Sequence, residues 1–349
     1  MLNNKNLLIT GGTGSFGKAF IKRVLKSYPK INKLVIFSRD ELKQSQLSQI
    51  YDPDKIKCIR YFLGDVRDKD RLNLALRNID IVIHAAALKQ VPAGEYNPFE
   101  FVKTNIIGAQ NLIEACLNNG VKKLVALSTD KATSPVNLYG ATKLCADKLF
   151  VAAQNMFGRK NGLIISIVRY GNVFASRGSV VPLFVEQKEK KIITLTDKRM
   201  TRFNLFLEQG VDTVLWTLKN SFGGEIVVPI APTIKIYDLA KIIGKNCKIK
   251  VIGRRFGEKV HEELISKNES YTTVHLKKYY IILPEINYAN SLKQYKKKFS
   301  ISKYPNSVSY NSFDNKNYLS KSEIVKITQN YIKSLNVQKK NSLQQTKNF

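Results

Sequence analysis

The sequence predicts an α/β protein, a doubly wound parallel sheet with a smaller C-terminal region. Three observations carry this. The short apolar runs NLLIT, KLVIF, IDIVIHAAA, KLVALS and LIISIVRY are continuous instead of alternating, as strands buried on both faces require. Longer amphipathic stretches separate them, as crossover connections between parallel strands must. The first run leads directly into a cluster of glycines and then into the helix-like segment KAFIKRVLKSY.

The chain has 349 residues, of which 44% are hydrophobic, enough for one large domain with a smaller one beside it. Residues 1–172 hold the run of strands and helices just described. Residues 173–335 change rhythm: a loop NVFASRGSVVP, a run KIITLTD, a helix GVDTVLWTLKN, a strand EIVVPI and a helix around IYDLAKIIG. They read as a smaller mixed region over the mouth of the sheet, with some segments free to return to the sheet. Residues 336–349, NVQKKNSLQQTKNF, are polar and aperiodic and are expected to be disordered.

The formal net charge is +30, which ordinarily suggests nucleic acid or an anionic membrane as partner. Here the cations are spread along the chain, with denser patches only at KKYYIILP and QYKKKF, so the balance reads as compositional bias. No nucleic-acid partner is expected; a small anionic substrate would profit from the field. Cys58, Cys116, Cys145 and Cys247 form no CxxC pair, and His84, His261 and His275 make no cluster at metal-ligand spacing. No metal is expected, and a cytoplasmic location is the natural reading. The apolar part of MLNNKNLLITGG is too short for a signal peptide, and no apolar run approaches the roughly 20 residues that cross a bilayer, so no membrane insertion is expected.

The glycine cluster is Thr10-Gly11-Gly12-Thr13-Gly14-Ser15-Phe16-Gly17, between a strand and a helix. Glycine there permits a tight turn and lets backbone approach a pyrophosphate at the helix N-terminus, which points to a dinucleotide. The next strand ends about twenty residues on in Ser38-Arg39-Asp40, where Arg39 can pair with a 2′-phosphate while Ser38 and Lys43 add donors. NADP is therefore preferred to NAD. Asp65 and Val66, placed at the end of the third strand in LGDVRD, suit an adenine edge. Ala85 and Ala86, placed at the end of the fourth, leave room for a dinucleotide against the backbone, and His84 reads as a packed core histidine.

Residues 128–143, STDKATSPVNLYGATK, carry the chemistry. Tyr139 and Lys143 are four apart and share a helix face. A Lys cation beside a phenol favours the phenolate, so the pair can remove a hydroxyl proton while hydride leaves the same carbon. Together with the glycine loop and the preceding Ser128-Thr129, this resembles the extended short-chain dehydrogenase/reductase family. The resemblance implies a Rossmann-like fold, a cofactor set that includes Asp40, Lys89 and Thr104, and a role for Thr129 at the substrate hydroxyl.

Asp130-Lys131 narrows the resemblance. In that family, 4,6-dehydratases that retain configuration at C5 carry Asp-Glu here, and those that invert it carry Asp-Lys. The segments GGTGSFG, SRDELKQ, AALKQVP, EYNP, KTNIIGAQN, RYGNV, SRGSVVP, MTRF and GEKVHEE, from residue 5 to about residue 265, are similar in order to the inverting UDP-N-acetylglucosamine 4,6-dehydratases.

The resemblance implies that Tyr139 takes the proton of the sugar 4-hydroxyl, that Lys131 removes the C5 proton, and that Asp130 delivers a proton to the departing 6-hydroxyl. NADP stays bound and is recycled in each turnover. Burial suits the two protonation states this needs, whereas a mutual Asp130–Lys131 ion pair opposes both.

It also assigns a substrate set of Lys89, Asn172, Arg177, Gly178, Ser179, Val180, Val181, Pro182, Thr196 and Arg255, and it implies a homo-oligomer. Ala175, Asn204 and Phe256 depart from the family's usual Gly, Trp and Pro. The product would be a 4-keto-6-deoxy amino sugar nucleotide for surface or flagellin glycans. A retaining dehydratase, a C4 epimerase, or a non-catalytic NADP-binding regulator stand as alternatives.

Overall fold

A computed structural model describes residues 1–158, 162–176 and 178–345. In chain order it begins β1 Asn6–Thr10, α1 Ser15–Ser27, β2 Lys33–Ser38, α2 Glu41–Ser48, β3 Ile59–Leu63, α3 Lys69–Ala75 and β4 Ile81–His84. Then come α4 Val91–Tyr96, α5 Pro98–Phe101, a π-helical stretch Val102–Ile107, α6 Gly108–Asn118, β5 Lys123–Thr129, α7 Leu138–Ala153 and β6 Ile164–Tyr170. The rest of the chain gives β7 Asn172–Val173, α8 Val180–Glu189, β8 Ile192–Leu195, β9 Thr201–Leu205, α9 Leu207–Asn220, β10 Ile226–Pro229, β11 Thr233–Lys235, α10 Ile236–Ile243 and β12 Lys248–Val251. Last are β13 Glu263–Ile265, β14 Thr273–Leu276, β15 Tyr279–Ile282, α11 Tyr288–Lys298, β16 Ser302–Lys303, β17 Tyr310–Asn311 and α12 Lys321–Gln345.

Two compact units result. The first comprises residues 1–171, 206–230 and 263–310, and the second 172–205, 231–262 and 311–349. Helix α12 packs Ile324, Ile327 and Tyr331 into the core of the second unit and continues to Gln345, through much of the stretch expected to be a disordered tail; residues 346–349 lie outside the described residues.

The first unit is built on a sheet in the order β16-β14-β15-β10-β6-β5-β4-β1-β2-β3. From β10 to β3 every pairing is parallel, and β15, β14 and β16 extend the sheet through antiparallel pairs. All four residues of β4 are buried, as are the central residues of β2 and β5, which is why their sequences are continuous apolar runs. Helix α1 buries Phe20, Ile21 and Val24, and α9 buries Val211, Val214 and Leu218, at the three- and four-residue spacing that makes one stripe. Both stripes join the core formed by Ile9, Ile36, Val125 and Val168.

The strand order reverses direction of travel between β1 and β4, which opens a crevice at their carboxyl ends. One hydroxyl fastens that crevice. Thr10 Oγ1 accepts from the Ala85 and Ala86 N–H groups at 3.2 Å each, so its own hydrogen goes to His84 Nδ1 at 2.9 Å. His84 is buried against Phe150, and burial, with the Lys143 charge second, lowers its pKa to about 3. It is a neutral core histidine with its proton on Nε2.

The second unit has a sheet β11-β9-β7 and a parallel pair β12-β8. Its core gathers Val181, Phe184, Ile193, Leu195, Ile234, Leu239 and Ile243.

Thr10→Val keeps the shape of the side chain but strands the Ala86 N–H and a ring nitrogen, while the Ala85 N–H keeps the Thr10 carbonyl at 3.2 Å. It should cost about 2 kcal/mol of stability in a urea titration, at roughly 1–3 kcal/mol per unsatisfied group after partial relaxation.

Candidate functional site

The glycine loop sits where β1 meets α1. Gly11 adopts φ +65, and a Cβ built on it would lie 2.8 Å from Ala86 N and 2.9 Å from the Ala85 carbonyl, so the loop and the end of β4 touch backbone to backbone. Gly14 is the N-cap of α1, whose first N–H groups are free to receive an anion. Thr13 Oγ1 bonds to Ser38 Oγ at 2.9 Å, joining the loop to the end of β2. Asp40 caps α2 by accepting from the Lys43 N–H at 2.9 Å, and its carboxylate also pairs with the Lys43 ammonium.

Asp65 lies two residues past the end of β3, beyond the strand on which the sequence places it. Burial pushes its carboxyl up, but Arg67, hydrogen-bonded at 2.8 to 3.0 Å, together with Arg39 holds it below the usual range. Arg39 is 3.6 Å from the same carboxylate and half exposed, which leaves its guanidinium accessible to a phosphate. Val66 is buried in the core, as is most of Phe16, so each offers a ligand its backbone. Ala85 to Lys89 follow β4, which ends at His84. In the π-helical stretch Thr104 is buried, and its Oγ1 has no hydrogen-bond partner among the described residues. A cradle that excludes a Cβ, a free helix N-terminus and an orphaned hydroxyl fit a dinucleotide.

The catalytic candidates lie just past β5. Thr129 caps a 3-10 turn of Asp130, Lys131 and Ala132, with its Oγ1 donating to Asp130 Oδ1 at 3.0 Å. The side chain of Asp130 is 1% exposed and pairs with Lys131 Nζ at 3.1 Å, so the opposing ion pair is present. Helix α7 begins at the N-cap Asn137, which accepts from Gly140 N at 2.8 Å, and it carries Tyr139 and Lys143 one turn apart.

Tyr139 differs from expectation in which cation acts on it. Its hydroxyl is pushed up to about 12: burial raises it, and the Lys131 charge and a hydrogen bond with Thr129 offset only part of that rise. Lys143 is buried, its proton affinity lowered by burial, and its ammonium donates to the Leu127 carbonyl at 2.7 Å. Lys131 is therefore the cation that favours the phenolate, while Lys143 is anchored to β5. Partial desolvation and then the Lys131 charge also lower the pKa of Lys89, which places a third cation near this turn.

Three supports were not legible from the motifs. Gly140 is one: a Cβ there would collide with the Lys131 carbonyl and come within 3.0 Å of Pro135 Cβ, so only glycine lets the Asp130–Lys131 turn lie on α7. Asn105 is another, holding the Leu88 N–H and carbonyl at 2.9 Å each and donating to Thr142 Oγ1 at 3.0 Å. The third is Asp147, one turn beyond Lys143. It accepts from Ser128 Oγ at 2.7 Å and meets Arg169 at 3.4 Å. Arg169 is 1% exposed and also bonds Thr133 Oγ1 at 3.0 Å and Glu269 at 2.9 Å. The spacing 139, 143, 147 was the available signal.

The substrate candidates of the second unit stand apart in kind. Asn172 Oδ1 and Ser179 Oγ are buried atoms without hydrogen-bond partners among the described residues. Gly178 has φ +76, Ser179 is the N-cap of α8, and Val180, Val181 and Pro182 form its first turn. The side chain of Val181 is packed in the core, so it has only backbone to offer. Thr196 lies one residue past β8, outside the strand expected to hold it, and bonds Met200 Sδ at 3.1 Å. Arg255 is exposed, and Arg177 lies outside the described residues. A cavity of about 450 Å³ lined by Arg23, Tyr28, Asp212, Trp216 and Lys219 belongs to the far halves of α1 and α9, away from the glycine loop. No described helix is long and apolar enough to cross a membrane.

Residues 7–284 match the polysaccharide biosynthesis protein family. The UDP-N-acetylglucosamine 4,6-dehydratase (inverting) of Campylobacter jejuni subsp. jejuni serotype O:23/36 (strain 81-176) is 51% identical over 336 residues, 94% of this chain and 98% of that protein. The UDP-glucose 4-epimerase of Rickettsia massiliae (strain Mtu5) is 42% identical over 312 residues, 86% of this chain and 90% of that protein. The X-ray structure of Pen from Bacillus thuringiensis matches with a TM-score of 0.84 at 38% identity, covering 94% of this chain and 99% of that one.

Two outcomes test the supports. Gly to Ala inside a helix ordinarily gains about 1 kcal/mol, but Gly140→Ala should lose stability in chemical denaturation and lose turnover, because the Lys131 carbonyl has to move. Burial pushes the Glu269 carboxyl up, but Arg169 and Ser266 outweigh this and hold it below its ordinary value near 4.5. Its stabilisation is thus complete above that ordinary value and drains away as pH falls through the lower folded value. Glu269→Gln should cost about 3 kcal/mol near neutrality and flatten the acid limb of stability measured by urea titration from pH 7 to pH 3.

Proposed function

The chain belongs to the polysaccharide biosynthesis protein family, and we propose that it is an inverting UDP-N-acetylglucosamine 4,6-dehydratase working with bound NADP. The observation that carries this reading is the Asp130–Lys131 turn held beside Tyr139 and Thr129 in a buried, cation-rich cluster. Epimerisation at C4 asks only for a base at the hydroxyl. Elimination of water across C5 and C6 asks for a second base and an acid, and this turn supplies one of each.

Tyr139, with its phenolate favoured by Lys131, takes the proton of the sugar 4-hydroxyl, and Thr129 orients that hydroxyl. A dinucleotide held by the glycine loop, Arg39 and Thr104 would supply a hydride acceptor for C4 and a hydride donor for C6. With C4 a ketone, the hydrogen at C5 is acidic, and Lys131 in its neutral form removes it. Asp130, buried and in its protonated form, gives a proton to the departing 6-hydroxyl. The Lys131–Asp130 pair reaches those forms by a single transfer: one proton moved from ammonium to carboxylate leaves a neutral amine and a carboxylic acid. This transfer follows C4 oxidation, so Lys131 is still an ammonium while Tyr139 acts, and a low-dielectric site favours the neutral pair thereafter. Elimination leaves the Lys131–Asp130 pair charged as it began; C5 then takes one proton from solvent on the opposite face, giving the inverted sugar, and Tyr139 returns to solvent the one proton it took from the 4-hydroxyl.

Arg39 supports NADP over NAD through its accessible guanidinium, and Asn172, Ser179 and Arg255 are assigned to the nucleotide-sugar. The relatives named UDP-glucose 4-epimerase support a second reading, a C4 epimerase. Analysis of the product separates the two.

Purified protein and UDP-N-acetylglucosamine in deuterated water, without added cofactor, should give a 4-keto-6-deoxy product with deuterium at C5 and inverted configuration by NMR. Lys131→Ala should give none. Tyr139→Phe should slow turnover roughly 10²–10⁴-fold. A C4 epimer with C6 unchanged would establish the second reading instead. Arg39→Ala should weaken NADP binding by about tenfold while leaving NAD within a factor of two, measured by calorimetry.

A further inference from the structure

We propose that Asn204 is a substrate-contacting residue whose side-chain amide, together with that of Asn172, grips one hydroxyl of the nucleotide-sugar; the proposal rests on the nucleotide-sugar reading above. β7 and β9 are parallel, with Asn172 in register against Asn204, so the two side chains leave the same face of the same small sheet. Asn204 is 6% exposed, and its backbone is satisfied by the Pro232 carbonyl at 2.8 Å. Its Nδ2 has no hydrogen-bond partner among the described residues, and neither has Oδ1 of Asn172.

The rest of β9 shows what this position would hold if packing alone decided it. Phe203 and Leu205 are buried and apolar. A buried amide that makes no hydrogen bond lowers stability, and an apolar residue of the same size would not. The buried Nδ2 of Asn204 is an open donor and the buried Oδ1 of the half-buried Asn172 beside it an open acceptor, and the two together are complementary to a group that accepts and donates at once. A sugar hydroxyl is the simplest such group, and it accepts from Asn204 Nδ2 while donating to Asn172 Oδ1. A phosphate oxygen satisfies only the first.

The test uses the full-length, NADP-loaded protein and the variants Asn204→Leu and Asn204→Asp. Calorimetry gives the affinity for UDP and for UDP-N-acetylglucosamine, and a thermal melt without nucleotide gives Tm. Asn204→Leu should raise Tm and weaken UDP-N-acetylglucosamine about tenfold, the loss expected for one buried hydrogen bond. Asn204→Asp, which replaces the donor by an acceptor, should weaken it further.

An equal loss for UDP assigns the ribose hydroxyls, and a loss confined to UDP-N-acetylglucosamine assigns the hexose. If the wild type binds both ligands and Asn204→Leu binds them equally well, or if its Tm falls with affinity unchanged, Asn204 is a packing residue and the proposal fails alone. Failure of the wild type to bind either ligand overturns the nucleotide-sugar reading and this proposal with it.

Discussion

A guanidinium with 1% of its surface exposed has to be surrounded by counter-charge, and Arg169 determines much of what lies around it. Asp147 meets it from α7, Glu269 from the turn before β14, and Thr133 from the loop that follows the catalytic turn. Ser128 reaches Asp147 from β5. One buried charge therefore ties together β5, β6, the catalytic helix and the return of the chain to the sheet. Burial pushes Asp147 up, and Arg169 and then Lys143 pull it back. The network thus also supplies negative charge one turn below Lys143.

The same economy operates at the crevice. Thr10 joins β1 to the end of β4, Asn105 joins the loop after β4 to α7, and Gly140 brings α7 against the Asp130–Lys131 turn. Most of these contacts reach backbone groups, and they connect cofactor loop, catalytic helix and acid–base turn. Preorganisation of this kind is what a multi-step proton-transfer sequence requires, since each group must serve without large rearrangement. The π-helical stretch at Val102–Ile107 is the element that carries Thr104 and Asn105.

Much of this was legible in the sequence. The strands β1, β2, β4, β5 and β6 stood out because strands buried on both faces leave unbroken apolar runs, and the glycine loop announced itself by position. Tyr139 and Lys143 fell on one helix face as their spacing demands. Less visible were relations fixed by the third dimension. Nothing in GATK says that Lys143 turns to the Leu127 carbonyl and leaves Lys131 to act on the phenol. Arg169 and Glu269 are 100 residues apart, a pairing that no local pattern encodes. Asp65 and Thr196 missed their strands by two residues and one, since strand ends are set by pairing partners.

The two units alternate along the chain, which leaves the first after residue 171, returns at 206, leaves at 230, returns at 263 and leaves again at 310. Each unit is thus made of three separate stretches, and no single cut of the gene separates them. A protein whose binding region is one contiguous cassette can acquire a new specificity by recombination. Here a single crossover anywhere before residue 310 exchanges fragments of both units at once. A change confined to the second unit is therefore most simply made by single replacements within the scaffold that this interleaving fixes.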